Sequence, residues 1–292
     1  MHHVEVGPLS GRLLRDPANR LLAARSAAGA SQPTSESAMV FAPHPDDETL
    51  ACGGVIALKV RRGARVRIVF LTDGSRSPVA SVAPEDLARA RATEAKEAAA
   101  VLGVPEEDVS LLGFPDGRLG EELDEATSRV RGLLEDWRPH EVYLPWALDP
   151  QTDHQSASRI VTAALAGTTR RTVCYQYPVW FWHTWPWVGR SVGSRRSVLG
   201  IYWRGLRSLG TVVTRFRWVV DVRSALDTKR AALACHRSQM EVLGDDPAWP
   251  TLPDLSGGDF MACFFRGQEA FYRYVVPVGS GGHAENGRAE GR

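Results

Sequence analysis

Apolar residues along this chain come in short dense runs, separated by longer stretches where they recur at helical spacing. Residues 38–41 (AMVF), 66–71 (VRIVFL), 109–112, 141–146 (EVYLPW), 172–177 and 216–222 have the length and the β-branched or aromatic content of buried strands. Residues 50–62, 84–102, 124–137 and 154–165 between them carry the pattern of amphipathic helices. Strands alternating with helices of this length build βαβ units. The predicted class is therefore α/β: a single, three-layer, Rossmann-like domain around a mainly parallel sheet. No internal repeat interrupts the pattern.

The pattern also divides the chain. Residues 1–37 read as an N-terminal extension and linker, with helical amphipathicity over 20–30 and polar punctuation over 31–37. Residues 38–278 form the domain, and residues 279–292, Gly-rich and polar, are expected to be a disordered tail. Polar residues of chemical interest collect just after strands, at 44–48, 72–74, 114–117 and 149–154. In a parallel sheet these loops leave the same edge, so they can meet in one pocket.

Composition narrows the function classes. With 43% hydrophobic and 24% charged residues, the 292-residue chain is typical of a globular protein, and a formal net charge of +1 gives no global attraction to nucleic acid. Four scattered cysteines, with no Cys-x-x-Cys pair, argue against a cysteine zinc cluster and a dense disulfide framework, so a reducing cytoplasm is the expected compartment. No apolar run is long enough to span a bilayer, and the N-terminus, broken by Arg15, Asp16, Arg20 and Arg25, does not read as a secretory signal. No Gly-x-Gly-x-x-Gly follows the first strand, which argues against a dinucleotide enzyme despite the Rossmann-like rhythm.

The densest chemistry is Ala42-Pro43-His44-Pro45-Asp46-Asp47-Glu48. An imidazole and a carboxylate at a strand end begin a zinc site, and a second carboxylate beside them can act as a base. The plainer alternative is a polar turn whose Asp side chains cap the next helix. A second cluster, Asp149-Pro150-Gln151-Thr152-Asp153-His154, follows a later strand; alone, His154 reads equally as a helix-start histidine.

These segments resemble the PIG-L/LmbE-like family of zinc-dependent N-acetylglucosaminyl deacetylases, over most of the chain from about Ala38 to about Tyr274. The resemblance implies that His44, Asp47 and His154 bind zinc, that Asp46 is the general base, and that Asp153 and Asp73 stand behind the metal. It implies substrate contact by Arg91, in the pattern Arg91-Ala92-Thr93-Glu94, and by Asp116; an exposed helix arginine and a Pro-Asp-Gly turn are the plainer readings. It reads Glu48 as a helix-start residue and His236, near Ser238-Gln239, as mainly structural. The implied activity is removal of an N-acetyl group from an amino-sugar-containing substrate.

One position departs from the family pattern. The family's Asp-x-His-x-Asp-His has a histidine where this chain has Gln151, an amide that donates a hydrogen bond to an oxyanion but supplies no proton. Either Asp46 handles both proton steps or another acid does, and His183 in Trp182-His183-Thr184-Trp185 is the candidate; an ordinary loop histidine is the alternative. A catalytically weak zinc-dependent saccharide-binding protein, and an amidase acting on a larger glycoconjugate amide, are the competing functions.

Six of the nine tryptophans lie between Trp180 and Trp218, in and just after a Trp/Arg-rich insertion of about residues 180–215. They are interleaved with Arg190, Arg195, Arg196, Arg204, Arg207, Arg215 and Arg217, and no acidic residue. This bias suits stacking on a sugar, a peripheral membrane contact, or a packed lid or oligomer contact. No RNA-binding motif accompanies the arginines.

Overall fold

The computed structural model describes residues 4–6, 8–27, 31–76, 82–192, 198–243 and 249–279. Elements follow in the order β1 (Val4–Val6), α1 (Pro8–Ala27), β2 (Ala38–Ala42), α2 (Asp47–Arg61), β3 (Val66–Thr72), α3 (Pro84–Leu102), β4 (Val109–Phe114), α4 (Leu123–Trp137), β5 (Glu141–Pro145), α5 (Thr152–Leu165), β6 (Thr172–Tyr177), β7 (Arg190–Val192), α6 (Val198–Thr214), β8 (Trp218–Asp221), α7 (Leu226–Ala234), α8 (Arg237–Met240), α9 (Asp259–Ala262) and β9 (Gln268–Val276), with short 3-10 turns between.

Seven strands form one sheet in the order β4-β3-β2-β5-β6-β9-β8. The first five are parallel, and β9 runs antiparallel to both β6 and β8. Every residue of β2 and of β5 is buried, as expected for central strands covered on both faces. Alternation along β2 splits the core in two. Ala38, Val40 and Ala42 face a cluster with residues of α1, α2 and α3, whereas Met39 and Phe41 face one built with α4 and α5. That is the three-layer α/β domain expected.

Helix boundaries follow local chemistry. α3 starts with Pro84 at its first turn, followed by Glu85 and Asp86, and stops at Gly103, whose φ of 87° suits the left-handed cap. α1 starts earlier than its pattern predicted. Its Ala18 and Leu22 lie in the main core, and Arg25 donates to the carbonyls of Val212 and Val213 at 3.3 and 2.8 Å, satisfying the end of α6. α6 and β9 were not foreseen: α6 mixes Gly and Arg into its apolar pattern, and β9 is defined by pairing with strands distant in sequence. The tail expected over 279–292 lies, beyond Gly279, outside the described residues.

The topology fixes where a site can form. Chain order runs outward from β2 through β3 to β4 on one side, and from β5 to β6 on the other. The strand order reverses between β2 and β5, and the crevice above their C-terminal ends is where open α/β sheets bind ligands. Residues 43–47 follow β2, and residues 146–154 follow β5.

Candidate metal centre and active site

Asp47 is the hub. Its Oδ2 lies 3.2 Å from Nδ1 of His44 and 3.2 Å from Nε2 of His154. The donor atoms of His44, Asp47 and His154 all lie within 4.8 Å of one another. Asp47 and His154 are buried, and His44 exposes 13% of its side chain. Neither ring nitrogen of His154 completes a hydrogen bond. Two imidazole nitrogens and a carboxylate, clustered and only loosely bonded to one another, match the donor set and count of a catalytic zinc site. These residues therefore fit a divalent metal.

Carboxylates stand behind both histidines. Nε2 of His44 meets Asp116 Oδ1 and Asp153 Oδ2, each at 3.2 Å. Asp153 also accepts the backbone N–H groups of Gly117 at 2.7 Å and Leu119 at 3.2 Å, so one buried carboxylate ties the loop after β4 to the histidine. Asp73 accepts from the N–H groups of Ser75 and Asp116, at 2.9 and 3.2 Å, and shapes the same loop pair rather than touching the three-residue group. On the other side, Asp149 Oδ1 lies 3.7 Å from His154 Nδ1, while its Oδ2 accepts from Val179 and Phe181. A carboxylate bonded to a histidine, as Asp116 and Asp153 are to His44, fixes ring orientation and raises the basicity of the other nitrogen.

The charges follow the geometry. Burial pulls the His44 imidazole down, but Asp116, Asp153 and Asp47 outweigh it and hold its pKa well above the ordinary value. For His154 burial is likewise outweighed, by Asp47 and Asp149, and the pKa is raised. Asp47 moves the other way: burial is overcome by the two histidines, which hold its carboxyl well below the usual range.

Asp46 is placed differently from its neighbour. Its φ of 136° is in the left-handed region that non-glycine residues seldom occupy, just before the first turn of α2. Glu48 Oε2 accepts its backbone N–H at 3.0 Å, and Glu48 Oε1 meets Nε2 of the fully buried His236 at 3.0 Å. Burial first, and then the Asp47 charge, push the Asp46 carboxyl up to about 7, against the lowering pull of His236 and His44. A carboxylate near 7 is matched to proton transfer at neutral pH.

Gln151 is the N-cap of α5: its Oε1 accepts the backbone N–H of His154 at 3.0 Å, which turns the Nε2 donor the other way. Arg91 Nη1 donates to the Gly74 carbonyl at 2.6 Å, and its Nε is buried without a partner. Gly74 has a φ of 64°, and an added Cβ would sit 2.9 Å from Arg91 Cδ and 3.1 Å from Pro45 Cδ, so the arginine lies against the loop carrying the cluster. Arg91 also helps hold the Asp116 carboxyl below its usual range; burial, which raises it, is outweighed by His44, the Arg76 N–H and Arg91. His183 Nε2 lies 3.2 Å from Ser256 Oγ, and its ring meets Trp180 and Phe260.

Sequence reasoning missed Asp149 and the Glu48–His236 pair. The first lay inside a segment already singled out, and its spacing from His154 was the available clue. The second joins residues 188 positions apart, and nothing local announces it. Within the tryptophan-rich segment, Trp182, Trp185 and Trp187 are buried, and Trp182 packs edge-on to Trp187 at 4.9 Å. Those three tryptophans form core, whereas Trp203 of the same segment is exposed.

Residues 39–165 match the PIG-L family, described as GlcNAc-PI de-N-acetylase. The chain is 31% identical over 255 residues to a 1D-myo-inositol 2-acetamido-2-deoxy-alpha-D-glucopyranoside deacetylase of Rhodococcus opacus (strain B4), covering 72% of this chain and 86% of that one. It is 30% identical over 230 residues to the enzyme of the same name from Mycobacterium sp. (strain KMS), covering 68% and 72%. Among solved structures, the N,N'-diacetylchitobiose deacetylase of Pyrococcus horikoshii superposes with a TM-score of 0.58 at 20% identity, over 90% of this chain and 92% of that one, and shares the fold. The matched region contains both strand-end loops that carry His44, Asp47 and His154, and the chain belongs to the PIG-L family of deacetylases.

Proposed function

We propose that this protein is a zinc-dependent hydrolase that removes the acetyl group from an N-acetylated amino sugar, releasing acetate and a free amine. The observation that carries this reading is the convergence of His44, Asp47 and His154 on one point, with the adjacent Asp46 carboxyl pushed up by burial. The relatives' named substrate, a 2-acetamido-2-deoxyglucose joined to inositol, supports the amino-sugar class.

His44, Asp47 and His154 would hold the zinc, which when bound would supply a Lewis acid that eases deprotonation of water. Asp46 accepts the proton of the attacking water. It returns a proton to the departing amine, because the Gln151 amide has none to give. Gln151, fixed through Oε1 by its cap to α5, presents Nε2–H to the developing oxyanion. Arg91 and Asp116 line the rim between the loops after β3 and β4 and hold sugar hydroxyls. Under this scheme His183 is not the acid.

Acetate release from N-acetylglucosaminyl conjugates, measured beside zinc content, tests the reading. Asp46→Asn should keep its zinc and lose at least about a hundredfold in rate, and His183→Ala should leave the pH–rate profile unchanged. Equal background release by wild type and Asp46→Asn would instead favour a saccharide-binding protein.

A further inference from the structure

Helix α6 presents two different apolar faces. Ile201, Gly205, Ser208 and Val212 are buried. Gly205 lies so close to Trp185 that an added Cβ would sit 1.9 Å from its ring, and Ser208 Oγ meets Thr184 Oγ1 at 3.2 Å. That face locks the helix to the 180–187 turn. The opposite face carries Leu199, Trp203, Leu206 and Val213 at spacings that keep them in line, with Tyr202 at the edge. Trp203 is 61% exposed, Leu199 66% and Leu206 50%, far more than a helix with a single apolar stripe would leave in water.

The charge around this stripe has one sign. α6 contains no acidic residue, and Arg204 and Arg207 stand exposed beside the stripe, followed by exposed Arg215 and Arg217. Neither Arg204 nor Arg207 has a carboxylate partner among the described residues. Two copies of this face pressed together would set arginine beside arginine with nothing on the helix to pair them. An anionic bilayer surface meets both needs: leucine and tryptophan enter the interface while arginine side chains reach the headgroups. No described helix is long and apolar enough to cross a membrane, so the contact is a surface one.

We propose that α6 docks this protein on anionic lipid surfaces through Leu199, Trp203, Leu206 and the flanking Arg204 and Arg207. This stands apart from the deacetylase reading, since none of these residues belongs to the metal cluster.

The test is co-sedimentation of the full chain with phosphatidylcholine vesicles, with and without phosphatidylglycerol. Pelleting is expected only with the anionic lipid, and it should weaken as salt is raised. Arg204→Glu with Arg207→Glu, and separately Trp203→Ser with Leu206→Ser, should each weaken binding by about tenfold or more. Acetate release from a soluble sugar conjugate, and the circular dichroism spectrum, should stay as in the wild type. Failure to pellet at low salt, or undiminished pelleting of both variants, overturns the proposal. So does a dimer in sedimentation velocity that Trp203→Ser with Leu206→Ser dissociates, which would make the face an interface between copies.

Discussion

Glu48 accepts the backbone N–H of Asp46 at 3.0 Å, holding a residue whose φ of 136° costs free energy that local sequence does not offset. The other Glu48 oxygen meets His236 Nε2, so a buried pair from α2 and the start of α8 sits under Asp46. Glu48→Ala should destabilise the protein by about 3 to 5 kcal/mol, since it leaves His236 buried beside a vacated acceptor. Glu48→Gln keeps an oxygen for the Asp46 N–H and should retain more activity. Thermal unfolding together with kcat and KM for both variants checks this; equal kcat for the two would show that the contact does not position Asp46.

Asp149 acts on the centre through His154, 3.7 Å away, while its second oxygen holds the 179–181 backbone. Asp149→Asn keeps an oxygen for those N–H groups and removes the charge. Zinc affinity, measured by competition with a chromogenic chelator, should fall by roughly 10- to 100-fold with little change in melting temperature.

Gln151 caps α5 and is proposed to serve the oxyanion, and one substitution separates the two. Gln151→Ala removes the cap on His154, at about 1 kcal/mol of stability, and removes the proposed oxyanion donor, at up to about a hundredfold in kcat. Gln151→Asn shortens the reach to the oxyanion while retaining good capping chemistry. Recovery of the melting temperature without recovery of kcat is the expected outcome; recovery of both would assign the whole effect to the cap.

The raised pKa values of His44 and His154 make metal loading a proton-releasing event. In the metal-free protein both imidazoles hold protons above their ordinary range, and a metal must displace them. Zinc affinity should therefore climb with pH until those protons are gone. For folding of the metal-free protein the sign is reversed for these groups. A raised folded-state pKa contributes stability that is fully present below the unfolded value and lost as pH rises through the folded one. Calorimetric titration in buffers of different ionisation enthalpy measures the protons released, and a loading free of proton release would contradict the assignment.

Much of this was open to reading in the chain itself. The buried runs of β2, β3, β5 and β6 are local patterns of residue type, and so are the polar clusters after β2 and β5; a parallel sheet then requires those clusters to share an edge. His44, Asp47 and His154 could be named as a set only through the family resemblance that two short strand-end motifs carry; the residues alone left a capped turn and a helix-start histidine open. β9 could not be named, because its partners β6 and β8 are chosen by tertiary pairing. The same limit hid the buried charges. Lys229 meets Glu269 at 2.7 Å and Lys59 meets Glu141 at 2.8 Å, yet along the chain each reads as an ordinary solvated residue.

The sequence by itself determined which groups are available and roughly where along the sheet they emerge, since side-chain type and short-range periodicity are local properties. Only the tertiary structure decided which carboxylate faces which imidazole. Asp46 and Asp47 are neighbours of one type, yet Asp47 is held low by two histidines and Asp46 is raised to about 7 over a buried Glu48–His236 pair. Proton affinity depends on burial and on charges within a few ångströms, and those are set by chain segments far away in sequence.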